Sequence, residues 1–387
     1  MLIMEKSNTR ILHITRNMPP LVGGMERLNW HLADELSRKF DVYIIASEEA
    51  RYEAPPNVQF SGSPLKPLWL FIINSLIASI KVARKFRPNT IIAGSGLTAP
   101  TAFIVAKIFN ASSVAYVHGL DITIDNTIYR WIWLPFIRRM DKVIANSSYT
   151  AKLAVKIGIP VEFITVIPPG VELKTQPSNA AETEEFLSKY DLKDRKILLS
   201  VGRLAERKGL REFVKYSLPQ IIEQESQAIL VVIGEEPTNS LASKSQKVQD
   251  ILEEADKQGL SDHLRFLGKV DNRTLSQAYE AASVHVFPVK HSDTDPEGFG
   301  MVAIEAAAHG TPTVAFATGG VIDAVSDGKT GFLIKNGDYI DFSKKVIQCI
   351  ESKSAMKNDC VIYAENFSWP KFGQKLSTLI SQWTTFD

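Results

Sequence analysis

Two glutamates stand eight positions apart in the stretch "DTDPEGFGMVAIEAAAHG", from Asp293 to Gly310. Glu297 precedes a Gly-Phe-Gly turn, and Glu305 lies about two turns inside the helix that should follow. Glycines let backbone amides approach a ligand closely, and a helix N-terminus favours phosphate oxygens or the partial charges of a sugar. A carboxylate accepts two hydrogen bonds at once, so each glutamate is predicted to hold vicinal hydroxyl groups of a sugar. The alternative is two acids placed near a helix start for helix-dipole reasons alone.

Cations follow a second apolar run, in "ILLSVGRLAERKGL". The run ends in Gly202, Arg203 and Lys208 flank a loop, and Gly209 begins a helix. Two cations together with a helix N-terminus form a receptor for a diphosphate. Arg207 lies between them and is able to substitute in part. Any one of the three side chains is alternatively an ordinary solvated surface charge.

Two features in the first half of the chain are also typical of a ligand-binding site. Gly23 and Gly24 precede a helix predicted over 25–39, which leaves amides and a helix N-terminus open to an anion. His118 follows the run "VAYV", with Gly119 permitting a sharp turn and Asp121 close by. The alternative for Gly23 and Gly24 is a turn into a packed helix that needs glycine only for its backbone conformation. The alternative for His118 is a histidine packed at the end of a strand.

Short β-branched runs alternate with longer amphipathic segments along the chain, which predicts buried parallel strands joined by helices. A polar segment, "ELKTQPSNAAETEE", separates two such series and predicts two doubly wound α/β domains. Ligands of open parallel sheets bind beyond the carboxyl ends of the strands, so the cleft between the domains is the expected site. The predicted strands are RILHIT, DVYIIA, NTIIAG, SSVAYVH, DKVIAN and EFITVIP, then KILLSVG, AILVVIG, LRFLG, VHVFP, TPTVAF and GFLI.

Composition is that of an ordinary globular chain, with 45% hydrophobic and 22% charged residues among 387. The two cysteines, Cys349 and Cys360, suit structural thiols in a reducing cytosol. The N-terminal segment lacks the apolar core of a signal peptide. The longest apolar stretch, Leu68 to Ile80, is shorter than the roughly 20 residues of a spanning helix. A cytoplasmic protein is therefore expected, without a transmembrane segment.

The net charge of +1 hides an asymmetry between the halves. Residues 1–172 hold 19 Lys and Arg against 13 Asp and Glu, whereas the remainder holds 25 against 30. This excess is too small for a nucleic-acid surface but suits an anionic membrane or substrate. Two segments, "PLKPLWLFIINSLIASIKVARKFRP" and "IYRWIWLPFIRRMDK", pair aromatics with cations as interfacial helices do. Helices packed on the sheet, with Trp131 and Trp133 in the core, are the alternative.

In combination, the motifs resemble those of the family-4 retaining glycosyltransferases with the GT-B fold, over nearly the whole chain. They are "PPLVGGMER", "HGLD", "NSSYT", "VIPPGVE", "VGRLAERKG" and the pair Glu297 and Glu305 with seven residues between them. The resemblance implies two Rossmann-like domains facing across a cleft. It implies an N-terminal acceptor domain over 1–172, a nucleotide-sugar donor domain over 173–369, and a last helix, 370–387, that crosses back to the first domain.

The resemblance also implies roles for individual residues. Gly23 and Gly24 would approach the donor phosphates, and His118 would contact the transferred sugar. Arg203 and Lys208 would bind the diphosphate. Glu297 would hold hydroxyls of the donor sugar, supported by the backbone amides of Gly298, Phe299, Gly300 and Met301. Glu305 would bind the ribose, and the backbone from Phe266 to Val270 would cover the base.

The expected reaction moves a hexose-type sugar from a UDP- or GDP-sugar to a glycan or lipid-linked glycan, in polysaccharide or glycolipid synthesis. Cations and amides that stabilise the departing phosphate make a metal or bound cofactor dispensable. The acids of "DTD", Asp293 and Asp295, lie in a loop and are weak metal candidates. The alternatives are a nucleotide-sugar epimerase, a phosphorylase of the same fold, and a non-catalytic nucleotide-sugar-binding relative. No nucleic-acid partner is expected.

Overall fold

The structure is a computed structural model that describes residues 7–174, 180–236 and 245–384. The chain forms two compact units. The first runs to Gly170 and resumes at Trp369, and the second runs from Val171 to Ser368. The predicted domain limits, after residue 172 and before residue 370, lie within two residues of these.

The first unit is built around seven strands, with helices in the connections. Its elements are β1 (Arg10–Ile14), α1 (Gly24–Ser37), β2 (Asp41–Ser47), β3 (Gln59–Ser63), α2 (Leu68–Phe86), β4 (Thr90–Ala93), α3 (Ala99–Phe109), β5 (Ser112–Val117), α4 (Leu120–Thr123), α5 (Thr127–Arg138), β6 (Lys142–Ala145), α6 (Ser148–Lys156), β7 (Ile164–Val166) and the C-terminal α15 (Trp369–Thr384).

All pairs in the first sheet are parallel, and the strand order is β3-β2-β1-β4-β5-β6-β7. The order reverses between β1 and β4, which is the switch point where such sheets open a crevice. Helix α1 buries Leu28, Leu32 and Leu36 and packs against α15. The last helix of the chain is therefore part of the first unit.

The second unit contains six strands. Its elements are α7 (Ala180–Lys189), β8 (Lys196–Val201), α8 (Leu210–Tyr216), α9 (Leu218–Gln224), β9 (Ala228–Ile233), α10 (Val248–Lys257), β10 (Leu264–Gly268), α11 (Asn272–Ala281), β11 (Val284–Phe287), α12 (Met301–Ala308), β12 (Thr313–Phe316), α13 (Val321–Ala324), β13 (Gly331–Ile334) and α14 (Tyr339–Glu365).

The second sheet is also parallel, in the order β10-β9-β8-β11-β12-β13, and its switch point lies between β8 and β11. Every residue of β9 and β11 is buried, as expected when helices cover both faces of a parallel sheet. Cys349 and Cys360 lie buried as free thiols in α14, and burial raises the pKa of each to about 12. They are packing residues.

The prediction of two doubly wound parallel α/β domains is confirmed, and each of the twelve predicted runs forms a strand. The sequence did not indicate β3. This edge strand, "QFSGS", has one large apolar residue and only one fully buried position. In the described part of the chain, no helix is long and apolar enough to cross a membrane.

Candidate functional site

His118 lies at the carboxyl end of β5, beside the switch point of the first sheet. Its Nε2 is 2.9 Å from the carbonyl oxygen of Gly94. A carbonyl only accepts, so Nε2 carries the proton and Nδ1 of the neutral ring is left as an acceptor. The Asp121 carboxylate accepts the amides of His118, at 2.8 Å, and of Gly96, at 2.9 Å. The hydrogen bond to Gly94 thus holds the imidazole in one tautomer, and the Asp121 carboxylate holds the loop that carries it.

Gly94 is where β1, α1 and the histidine loop meet. Its carbonyl also accepts a hydrogen bond from Asn29 Nδ2, in α1, at 3.3 Å. A Cβ at this position would lie 2.1 Å from Asn29 Oδ1 and 2.7 Å from Thr15 Cβ. Only glycine permits this approach.

Two buried oxygens at the same edge have no hydrogen-bond partner within the described residues. They are Ser95 Oγ, after β4, and Asn146 Oδ1, after β6. His118 follows the strand between these two, β5. Buried polar atoms are rarely left unpaired, so this row of strand ends suits a hydroxyl-rich ligand.

The glycine loop of the first unit contains a carboxylate that the sequence analysis did not consider. Gly23 precedes α1, and Glu26 is buried in the first turn of that helix. Its side chain accepts a hydrogen bond from Asn17 Nδ2 at 2.7 Å and is close enough to Arg16 to raise the pKa of that guanidinium against the stronger lowering effect of burial. An anion at Gly23 and Gly24 would therefore meet Arg16 together with an acid.

The predicted diphosphate receptor of the second unit forms one cluster of charges. Lys208 Nζ lies 2.7 Å from Glu297 Oε2, and Arg207 donates to the same oxygen at 2.5 Å. Arg207 Nε also lies 3.1 Å from the carboxylate of Asp295. Arg203 has no ion pair among the described residues and is exposed. Three cations face two carboxylates, so the cluster retains positive charge for an anion.

The charge states of the cluster follow from this imbalance. Burial alone would raise the pKa of Glu297, but Lys208 and Arg207 outweigh it and hold that pKa well below its usual range. The pKa of Lys208 is lowered to about 8 by burial and by repulsion from Arg207 and Arg203, with Glu297 opposing. The carboxylate is therefore firmly ionised, whereas the lysine is close to its titration range at neutral pH.

A pocket at the end of β8 brings the two predicted diphosphate ligands together. Gly202, Arg203 and Lys208 line it, with Phe287 and Gln246 on the other walls. Lys208 also lies over the Phe287 ring, 4.6 Å from its centroid. The Gln246 Oε1 is buried without a partner in the described part of the chain. The pocket is thus lined by the cations Arg203 and Lys208 and by the unpaired acceptor Gln246 Oε1.

The backbone of Glu297 is clamped by a second glycine turn, which sequence analysis missed. Gly320 donates its amide to the carbonyl oxygen of Glu297 at 2.8 Å. A Cβ on Gly319 would lie 2.4 Å from that same oxygen, and one on Gly320 would lie 2.0 Å from the Gly298 carbonyl oxygen. The signal was present in "ATGGV", immediately after β12. It fixes the loop that presents Glu297.

The turn Gly298 to Met301 begins α12, with Gly300 at a φ of 92° as its N-cap. The Phe299 side chain is buried against Phe367, and Met301 packs on the hydrophobic core. These two residues can therefore meet a ligand through their backbone rather than through their side chains.

Glu305 is the fifth residue of α12, so it lies one turn inside the helix and not two as expected. The helix starts late because residues 296–300 form the loop. The Glu305 carboxylate is buried and accepts a hydrogen bond from Tyr279 Oη, in α11, at 2.9 Å. It faces α11, whereas Glu297 faces the cations, so the two glutamates occupy different surroundings.

The remaining predicted positions are less distinctive. Val270 follows the edge strand β10 and packs partly against the hydrophobic cluster beneath it. Asp293 is exposed and lies 3.3 Å from His291, and Asp295 pairs with Arg207. Within the described residues, no group of three or more His, Cys, Asp and Glu is arranged to hold a metal ion.

Two family models match successive parts of the chain. The model for glycosyltransferase family 4 matches residues 22–175, and the model for glycosyl transferases group 1 matches residues 182–367. The HepE protein of Anabaena, solved in complex with UDP, superposes with a TM-score of 0.81 at 19% identity, covering 97% of this chain and 100% of HepE. The fold is therefore the GT-B fold of glycosyltransferases. The chain belongs to the family-4 glycosyltransferases.

Curated relatives match the chain over part of their length. The D-inositol 3-phosphate glycosyltransferase of Actinosynnema mirum is 29% identical over 255 residues, which cover 64% of this chain and 58% of that protein. A GDP-mannose-dependent alpha-(1-6)-phosphatidylinositol monomannoside mannosyltransferase of Mycobacterium tuberculosis is 30% identical over 259 residues, which cover 64% of this chain and 63% of that protein. The matched segment thus spans about three fifths of each relative.

Proposed function

We propose that the protein is a retaining glycosyltransferase that moves a hexose-type sugar from a UDP- or GDP-sugar to a glycan or lipid-linked glycan. The observation that carries the proposal is the cluster of Arg203, Arg207, Lys208 and Glu297 at the switch point of the second sheet. It combines an excess of positive charge with an ionised carboxylate, which are the two features that a sugar diphosphate requires.

The main catalytic contribution in this mechanism is stabilisation of the leaving group. Breaking the bond between the anomeric carbon and the diphosphate oxygen leaves negative charge on the phosphate and oxocarbenium character on the sugar. Arg203, Lys208 and the amides that begin α12 neutralise the phosphate charge as it develops. Glu297 holds hydroxyls of the transferred sugar and Glu305 holds the ribose, with Tyr279 keeping the Glu305 carboxylate in position.

Retention of configuration is proposed to come from attack on the same face of the sugar. The acceptor hydroxyl forms the new bond to the anomeric carbon as the diphosphate departs, and its proton passes to the departing phosphate oxygen. His118 presents Nδ1 as a hydrogen-bond acceptor for a hydroxyl of the transferred sugar, because Nε2 is committed to Gly94. Arg203, Lys208 and the amides that begin α12 take the role that a metal ion would otherwise have at the diphosphate.

The relatives support a nucleotide-sugar donor without selecting one. HepE is solved with UDP, and the mycobacterial mannosyltransferase is named as GDP-mannose-dependent. That mannosyltransferase acts, by its name, on a phosphatidylinositol mannoside, which supports a lipid-linked acceptor here. We place the reaction in cell-surface polysaccharide or glycolipid synthesis, at the cytoplasmic face of the cell membrane.

Release of free nucleoside diphosphate from a panel of UDP- and GDP-sugars tests this proposal, with and without membrane extract and EDTA. We expect release from one donor that depends on extract, persists in EDTA and is lost in Glu297→Ala. Nuclear magnetic resonance of the isolated product should show the anomeric configuration of the donor. Inversion would refute the retaining mechanism.

The same panel separates the alternatives. An epimerase would interconvert donor sugars without extract and without diphosphate release. A phosphorylase would require inorganic phosphate and a pyridoxal phosphate group. Nucleotide-sugar binding with no turnover under any condition would identify a non-catalytic member of the family.

A further inference from the structure

Helix α2 exposes an apolar stripe on its outer face. The face that packs into the first unit buries Phe71 and Ala83 together with Ser75 and Ser79, and the outer face exposes Trp69, Ile73 and Ile77. These three residues recur every fourth position and so form one stripe. Trp69 is 61% exposed. A helix that only covers a sheet has its apolar stripe toward the core and polar residues on its outer face.

Helix α5 carries a second exposed apolar group. Ile128, Trp131 and Ile132 point outward from its first two turns, and Trp131 is 78% exposed. The alternative that both tryptophans are core residues is therefore wrong for Trp131. Trp133 is half-buried, and its indole N–H donates to the Leu97 carbonyl oxygen at 2.9 Å.

The two exposed groups share one face of the first unit. Helix α3 packs against both α2 and α5. Helices α2, α3 and α5 precede β4, β5 and β6 in turn, and right-handed crossovers place successive helices of such a series on the same side of the sheet. Each helix begins at the edge where the strands end, so Trp69 and Trp131 lie toward the edge that holds His118.

The sequence that forms this face carries an excess of positive charge. Residues 54–120 contain six Lys and Arg and no Asp or Glu, and residues 126–140 contain three Arg and no acid. Lys81, Arg84 and Lys85 are exposed in the last turns of α2. The apolar stripe on α2 is therefore followed by cations on a helix without acids, whereas α5 is preceded by the exposed Asp125, which lies 3.8 Å from Arg130.

We propose that this face, defined by Trp69, Ile73, Ile77, Ile128 and Trp131 with the cations at the end of α2, docks on an anionic lipid bilayer. Tryptophan and isoleucine enter the boundary between headgroups and acyl chains, and the lysines and arginines meet the lipid phosphates. Charge complementarity favours this occupant, because α2 carries no acid that could pair with the cations of a second copy. Docking would bring the His118 edge to the bilayer surface.

This inference extends the proposed function by identifying the surface that meets a lipid acceptor, but its test is independent of turnover. The purified full chain is sedimented with vesicles of phosphatidylcholine, alone or mixed with phosphatidylglycerol, in the absence of donor and acceptor. We expect binding to the anionic vesicles to exceed binding to the neutral ones by about tenfold or more at low salt, and to fall as salt rises. Failure of glycosyl transfer would leave this result unaffected.

Two sets of variants locate the surface. Trp69→Ser combined with Trp131→Ser removes the apolar anchors, and Tyr52→Ser, at a 92% exposed aromatic elsewhere in the first unit, is the matched control. The triple change Lys81→Gln, Arg84→Gln and Lys85→Gln removes three charges. The triple change Lys329→Gln, Lys335→Gln and Lys344→Gln removes three exposed charges from the second unit. Each test variant should lower vesicle binding about tenfold or more, and neither control should change it.

Insertion of Trp69 and Trp131 into the bilayer can be measured by tryptophan fluorescence. Lipids with brominated acyl chains should quench fluorescence of the parent protein and should quench the double tryptophan variant much less. Absence of vesicle binding by the folded parent would overturn the proposal, as would equal binding by test and control variants. A concentration-dependent dimer lost in the double tryptophan variant, without vesicle binding, would assign the face to a second copy.

Discussion

Lys208 and Glu297 form an ion pair across 2.7 Å, although 89 positions separate them in the chain. The carboxylate proposed to hold sugar hydroxyls is thus held by a cation proposed to hold the diphosphate. Arg207 shares the same carboxylate oxygen. The pair holds both side chains in place, so little reorganisation is needed when charge develops on the phosphate.

The lowered pKa of Lys208 predicts an alkaline limit to donor use. Its ammonium group is present below about pH 8 and is lost as the pH rises through that value. We expect kcat/KM for the donor to fall above about pH 8, because this parameter reports groups of the free enzyme. Lys208→Arg should keep its charge and move the limit upward. An unchanged alkaline limb in that variant would assign the titration to another group.

Removal of the Glu297 charge should separate binding from transfer. In Glu297→Gln, Arg207 and Lys208 lose their shared anion, so affinity for free UDP or GDP should rise several-fold by calorimetry. Sugar transfer should fall by about a hundredfold or more, because a preorganised polar contact to the reacting sugar is lost. Weaker nucleotide binding together with normal transfer would contradict both roles.

The architecture was largely predictable because buried parallel strands have a strong local signal. Runs such as β9, "AILVVI", are apolar throughout and bounded by turn residues. Strand β3 lacks that signal, since its pairing with β2 at the sheet edge depends on backbone hydrogen bonds more than on apolar side chains. Strand β3 also packs tightly against the segment that follows β2, because a Cβ on Gly62 would lie 2.9 Å from Glu48 Cα.

The site was predictable as a set of residues but not as a set of contacts. Arg203, Lys208 and Glu297 were identified from loops that follow strands, which is a local feature. The partners of Arg207 and Asp295 depend on which strands are neighbours, and local spacing does not encode this. Sequence analysis treated Arg207 as a substitute phosphate ligand and Asp295 as a weak metal candidate, whereas the structure pairs them at 3.1 Å.

The close approach at Gly94 predicts a test of the first unit's packing. Gly94→Ala would place a methyl group against Asn29 and Thr15, and overpacking of this kind costs about 1–3 kcal/mol. We expect the Tm of the variant to fall by roughly 5 °C in calorimetry. The histidine loop should also loosen, since Gly94 accepts the hydrogen bond of His118. An unchanged Tm would show that Asn29 and Thr15 move aside without lowering the stability of the protein.

Arg207 is predicted to act as a positioning residue for Glu297, through its second contact with Asp295. Arg207→Lys keeps the charge but loses the guanidinium fork that reaches both carboxylates, so kcat/KM should fall about tenfold. Asp295→Asn should give a smaller loss. Because the two side chains are in contact, their effects should be non-additive, with a coupling energy of about 0.5–3 kcal/mol in a double-mutant cycle of Arg207→Lys and Asp295→Asn. Strict additivity would mean that Arg207 acts on the donor directly and not through the carboxylate pair. The alkaline limit set by Lys208 provides a further readout in Arg207→Gln, because loss of the neighbouring positive charge should raise the pKa of Lys208 and shift the limit upward.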